Sequence, residues 1–181
     1  MTASKGTRLG KILLVIGQML LAAIFLVAGY SKMKPPAAMG WSIGSVKTSL
    51  AMFAMQVDSY QMLSTSGVDF VSHALPPFEL FLGLWLLSGI ALRVSSVVTS
   101  LLLIGFFSVM VRSYALHLGI NCGCFGTSEQ LGPKTLLRDG SFLALSLAVT
   151  AGAFLLRRRR RIPDAPSVMS AVPVPPSESR T

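Results

Sequence analysis

Four long apolar runs decide what this chain can fold into. Each is long enough, or nearly so, to cross the ~30 Å hydrocarbon core of a bilayer as a helix. They read as helices over about residues 11–31, 75–92, 94–117 and 135–156, the first built on ILLVIGQMLLAAIFLVAGY and the second on PPFELFLGLWLLSGIAL. Only 13% of the residues are charged, against about 25% in an average soluble domain. The expected fold is therefore all-α: an integral membrane four-helix bundle occupying residues 1–156. Only Arg93 separates the second and third runs, which predicts a tight hairpin. No internal repeat is visible.

The segments outside these runs have their own signatures. In the connector, residues 31–74, Val46, Leu50, Phe53, Val57 and Tyr60 recur every three or four positions, the pattern of an amphipathic helix. It is too polar to span, so it is expected to lie on the outer membrane surface or to cap the bundle. Residues 157–181 begin with the basic run Arg157–Arg161 and continue as a Pro- and Ser-rich tail, expected to be disordered. The net charge of +9 does not indicate nucleic-acid binding, because five of the sixteen basic residues form that one run directly after an apolar segment. That is the position of a stop-transfer anchor.

Basic residues near the helix ends predict orientation. With both termini inside, Lys5, Arg8, Lys11, Arg93 and the five-arginine run lie on the cytoplasmic side. The fragment HLGINCGCFGTSE, residues 117–129, then faces the periplasm or exterior of a bacterial inner membrane, where disulfides persist. The basic start and first apolar run also look like a secretory signal. The run is long for that purpose and lacks an A-x-A site, so it is read as a retained helix.

Helical rise sets the depth of the remaining charges. Lys32 is 21 residues beyond Lys11, Arg112 is 19 beyond Arg93, and Arg138 is 19 before Arg157. These separations are about 28–31 Å, the outer boundary of the slab. Glu79 lies 14 residues before Arg93, about 21 Å up and so inside the apolar layer. An intramembrane carboxylate needs a partner and commonly marks function. Arg112, on the next helix and about 7 Å shallower, is its expected partner. Taken singly, Lys32, Arg112 and Arg138 are also explained by snorkelling to the headgroups, and His117 by a place at a helix end.

Cys122 and Cys124 are the only cysteines of the chain. Three readings of the pair stay open on the residues alone. As a redox pair, they would close a strained ring that Gly123 makes possible, and strained, exposed disulfides are the labile, catalytic kind. Arg112 and His117 nearby would favour the thiolate. As a metal site, Cys-x-Cys with His117 offers soft ligands suited to copper but lacks the second pair that structural zinc requires. As simple packing, they would be two small residues in a glycine-rich turn.

The segments FLVAGYSKM, LPPFELFLGLWLLSGIALR, and NCGCFG followed by LLRDG resemble the MauE family of methylamine-utilisation membrane proteins, within the broader DoxX-like group. The resemblance spans roughly residues 10–156, and Cys-Gly-Cys-Phe-Gly is its most specific part. It implies a four-helix membrane bundle acting in disulfide formation or thiol redox during maturation of periplasmic proteins. In the family's named pathway the substrate is the small subunit of methylamine dehydrogenase. Carried over by position, the resemblance points to Lys32, Glu79, Arg112, Cys122, Cys124 and Arg138; at the next position this chain departs from the family pattern, with Asp139 where Asn is usual, so no role is carried over to it.

The expected function is a membrane thiol–disulfide oxidoreductase. Its partners are a periplasmic thiol protein or thioredoxin-like carrier and a membrane quinone seated below the cysteine loop among Lys32, Glu79 and Arg112. With no second cysteine pair, no internal disulfide relay is available. The alternatives are a non-catalytic assembly subunit or chaperone for a periplasmic enzyme, and a copper-handling membrane protein.

Overall fold

The computed structural model describes residues 2–35, 40–122 and 130–160, with side chains described from residue 8 to residue 155. Cys124 and the tail beyond Arg160 lie outside the described residues. The order is α1 (Thr2–Met33), α2 (Ile43–Ser59), α3 (Thr65–Ser88), α4 (Leu92–Ala115) and α5 (Pro133–Arg160). Among the described residues there is no strand, only an isolated antiparallel bridge between Asn121 and Gln130. Helices α1, α3, α4 and α5 contain the segments long and apolar enough to cross a membrane. Much of their outward surface is large and apolar: Leu13, Leu20, Phe81, Leu84, Leu101 and Leu155 are all exposed, as lipid-facing positions should be.

The interior is held together by small residues. At Gly29 of α1, a Cβ atom would lie 2.9 Å from the Pro76 carbonyl oxygen and from Leu80 Cγ of α3. At Gly83 of α3 it would lie 2.8 Å from Leu26 Cγ of α1. Neither site has room for a side chain, so α1 and α3 approach almost backbone to backbone. This is how helices gain dispersion contacts in a solvent as apolar as their own side chains. Gly17 meets Val149, and Gly152 meets Leu14, along the α1–α5 seam in the same way. Between α4 and α5 the seam is hydroxylic instead, with Ser100 within 3.3 Å of Ser146 and 2.9 Å of Thr150. A hydrocarbon core cluster of Leu21, Ala22, Phe25, Leu82, Leu86 and Val149 sits at the centre.

Two sequence expectations shift and a third is narrowed. Helix α3 starts at Thr65, not near residue 75, and runs through Pro76 and Pro77. The prolines remove two amide donors from the helix ladder. The segment stays helical because packing with neighbouring helices tolerates such gaps inside a bundle, and Pro76 is fully buried where Gly29 presses on it. The α3–α4 turn is Gly89–Ala91, not Arg93; Gly89 and Ala91 are both left-handed, and Arg93 lies in the first turn of α4 over the Phe154 ring. The amphipathic connector is α2, and it caps the bundle. Its N-terminus is closed by a reciprocal capping box between Ser42 and Ser45. Ser49 Oγ donates to the Lys34 carbonyl at 3.0 Å, tying α2 to the end of α1.

Candidate functional site

α1 packs on α2, α3 and α5, and α4 packs on α5 and α3, but α1 and α4 share no seam among the described residues. The space between them, at the end where α1 terminates, is a cavity of about 280 Å³. α2 roofs it with Phe53, Gln56, Val57 and Tyr60, and Phe25, Phe106, Phe107 and Phe142 supply aromatic walls. Besides Gln56 and Tyr60 of the roof, the polar residues that line this apolar space are Lys32, Glu79, Cys122 and Asp139.

Lys32 and Glu79 form one unit. Lys32 Nζ donates to both carboxylate oxygens of Glu79, at 2.9 and 2.7 Å. The side chains are 4% and 3% exposed, so this is a fully buried ion pair between α1 and α3. Lys32 Nζ also lies 5.4 Å from the centre of the Phe53 ring, a cation–π contact from the α2 roof. The expected Glu79–Arg112 pair does not form. Arg112 is exposed at the end of α4, whereas the close approach at Gly29 brings α1, and with it Lys32, to Glu79. Gly29 and Lys32 share one face of α1, and Glu79 and Gly83 one face of α3, at spacings of three and four residues.

Cys122 stands at the neck of its loop. The Asn121–Gln130 bridge and the hydrogen bond from the Leu131 amide to the Ile120 carbonyl, 2.8 Å, close that neck. The Tyr60 hydroxyl donates to the Cys122 carbonyl at 2.9 Å, joining the roof to the loop. The residue is 6% exposed, and its Sγ lies 3.7 Å from Asp139 Oδ2, in the donor position of a sulfur hydrogen bond. Arg138 Nε donates to the other oxygen, Oδ1, at 2.9 Å, and Nη2 reaches Oδ2 at 3.5 Å. One carboxylate thus touches both the cysteine sulfur and a guanidinium.

Asp139 is the site residue that sequence reasoning passed over. It was legible in the period of α5: Thr135, Asp139, Ser146, Val149 and Ala153 are all buried, which makes them one face. Arg138, one position earlier, is turned partly outward with its side chain 30% exposed. His117 is exposed, with φ +53 in the turn that ends α4. Of the seven residues singled out from sequence, the cavity brings together Lys32, Glu79 and Cys122, with Arg138 reaching it through Asp139. Arg112 and His117 stay outside, and Cys124 is beyond the described residues. Among the described residues no three His, Cys, Asp or Glu side chains group as a metal site would require.

A family model described as methylamine utilisation protein MauE matches residues 10–156. The chain belongs to the MauE family. Every residue of the cavity falls within the matched span, and only the N-terminal nine residues and the basic tail fall outside it. As a MauE protein with four helices long and apolar enough to span, it is a multi-pass membrane protein associated with methylamine utilisation. No curated protein and no solved structure matches the chain.

Proposed function

We propose that the chain is a membrane thiol–disulfide oxidoreductase whose working element is the Cys122–Cys124 pair. The observation that carries this reading is the position of Cys122. It forms part of the wall of the same apolar cavity that holds the buried Lys32–Glu79 pair, so one sulfur of the pair borders a membrane-embedded binding space. A sulfur serving only as filler has no need of a carboxylate at 3.7 Å. The excess of basic residues at Lys5, Arg8, Lys11, Arg93 and Arg157–Arg161 favours cytoplasmic termini. On that orientation the loop works on the outer face of a bacterial inner membrane. Its partner there is a periplasmic thiol protein or thioredoxin-like carrier, and in the family's named pathway it serves maturation of the methylamine dehydrogenase small subunit.

The cavity suits a membrane quinone. It is apolar, walled by phenylalanine rings and, at about 280 Å³, sized for a single-ring headgroup. A quinone bound there would supply a two-electron, two-proton acceptor or donor for the pair. Lys32 would hold a cation against a carbonyl oxygen of such a ring, a preorganised charge in a low-dielectric setting. Glu79 would hold or release a proton beside it. The α2 roof, tied down by Tyr60 and Ser49, would keep water from the space.

Mixed-disulfide trapping tests the exchange step. A Cys122→Ser or Cys124→Ser variant should accumulate a covalent, reductant-sensitive adduct with a periplasmic protein and should lose activity. If neither variant traps a partner and both keep wild-type activity, the pair is not the working element.

A further inference from the structure

We propose that the cavity opens sideways into the bilayer between α3 and α4, and that a quinone enters through this mouth. Its ring reaches Lys32–Glu79, and its apolar tail stays between the two helices. The inference rests on the quinone reading of the cavity, to which it adds the entry route and the residues that select for a tail.

The seams around the cavity carry it. The four apolar helices form a ring, α1–α3–α4–α5, and α3–α4 is its thinnest seam. α1 and α3 meet almost backbone to backbone at Gly29 and Gly83. α4 and α5 are joined through Ser100, Ser146 and Thr150, and beside the cavity Gly140 meets the Phe107 ring. α3 and α4 come together towards their shared turn, where Val98 and Leu102 pack on the cluster that includes Leu82 and Leu86. Beyond it, Val71 and Leu75 of α3 and Phe106 and Val109 of α4 line the cavity yet stay only half-buried. Met62 and Leu63, in the link between α2 and α3, line it too and are 42% and 47% exposed. On the α1 wall, by contrast, Phe25, Ala28 and Lys32 are all buried.

Depth and chemistry then fix the kind of occupant. Phe106 and Val109 are 13 and 16 residues beyond Arg93, about 20 and 24 Å at helical rise. Both therefore lie within the ~30 Å hydrocarbon layer. All six residues of the rim are apolar, so a water-borne or charged ligand finds no partner on the way in, whereas a lipid-soluble one is already at that depth. Inside, the volume of about 280 Å³ is just below the usual range of ligand pockets, about 300–1,000 Å³. It holds a ring, and the buried Lys32–Glu79 pair presents that ring with both a donor and an acceptor. A long tail has no space beside it. The tail gains dispersion contacts with Met62, Val71 and Val109 instead, the packing energy that remains in an apolar solvent.

The test uses the full-length chain in phospholipid vesicles with a decyl-tailed benzoquinone that carries a diazirine at the end of its tail. Illumination attaches the tail to what it touches, and mass spectrometry reads the labelled residues. Wild type should be labelled at Met62, Leu63, Val71 or Val109, and excess unlabelled decyl-benzoquinone should displace the label. Val109→Trp, and separately Val71→Trp, should fill the mouth and cut the displaceable label about tenfold, the factor that about 1.4 kcal/mol of lost binding makes. Leu101→Trp, on an exposed face of α4, should leave it unchanged. A thermal melt of each variant checks its fold, and the position of the wild-type label decides the route even where a variant fails to fold. The proposal is overturned if the displaceable label falls on Ile24 and Phe142, at the α1–α5 side of the cavity, if both folded mouth variants label as wild type does, or if Leu101→Trp loses as much as they do. Displaceable label at the α1–α5 side would leave the quinone reading standing. No displaceable label anywhere on the chain would end that reading, and the proposal with it.

Discussion

Among the described residues two ion pairs border the cavity, and they are built on opposite plans. Lys32–Glu79 joins residues 47 apart on different helices, with both side chains almost wholly removed from solvent. Arg138–Asp139 joins sequence neighbours, with the arginine side chain 30% exposed and the aspartate 11%. Taking two charges out of water is expensive, and attraction offsets that cost only where geometry and further contacts are good. The first pair meets this condition through two hydrogen bonds and the Phe53 ring. The second keeps one partner near solvent and therefore adds little to stability. What it does instead is fix one carboxylate oxygen against a sulfur. The first pair holds two helices in register; the second aims a single side chain.

This contrast can be broken most forcefully at the buried pair. Lys32→Ala or Glu79→Ala leaves one charge buried alone and should destabilise the protein by about 3–5 kcal/mol, read as a loss of folded protein in detergent thermal melts. The double replacement Lys32→Met with Glu79→Leu should recover most of that stability, because a buried pair exchanged for apolar groups of similar volume is often neutral, but it should not recover activity. An active double variant would reduce the pair to packing. Next in size is Gly29→Leu, which forces a side chain against the Pro76 carbonyl and Leu80. Overpacking of this kind costs about 1–3 kcal/mol, and it should lower activity in step with stability by moving Lys32 away from Glu79. Arg138→Ala should change stability by only about 0–1 kcal/mol yet slow reaction at Cys122, since Asp139 loses its clamp. A large stability loss with unchanged cysteine chemistry would invert the contrast. The smallest effect belongs to Arg112→Ala, which should leave both the melt and the thiol chemistry at wild-type levels.

The four spans were legible because bilayer thickness dictates both their length and their composition. The α2 helix was legible because one face repeats every three or four residues. What the sequence did not yield was adjacency. Depth counting put Lys32, Arg112 and Arg138 at one level with Glu79 just below, but depth does not say which helix stands beside which. Chain order favoured Arg112, on the helix that follows α3 directly. The pairing is decided by glycines: Gly29 and Gly83 let α1 and α3 close on each other, and each shares a face with the charge that uses the closeness. Small residues three or four positions from a buried charge were the available signal. Pro76 and Pro77 take two amide donors out of α3, yet the helix continues N-terminal of them to Thr65, because packing inside a bundle tolerates such gaps. Asp139 was set aside for a different reason: it departs from the residue expected there by resemblance, while the buried face of α5 runs through it and not through Arg138.

The central claim is that Cys122 and Cys124 cycle between dithiol and disulfide in contact with a membrane acceptor. It is tested most directly by redox titration of the pair in membranes, with and without added quinone. The account predicts a midpoint well above about −300 mV, the range of labile and catalytic disulfides, and oxidation of the dithiol by quinone that is lost in Glu79→Gln. A midpoint below that value, with no response to quinone, would mark an inert structural disulfide and contradict it.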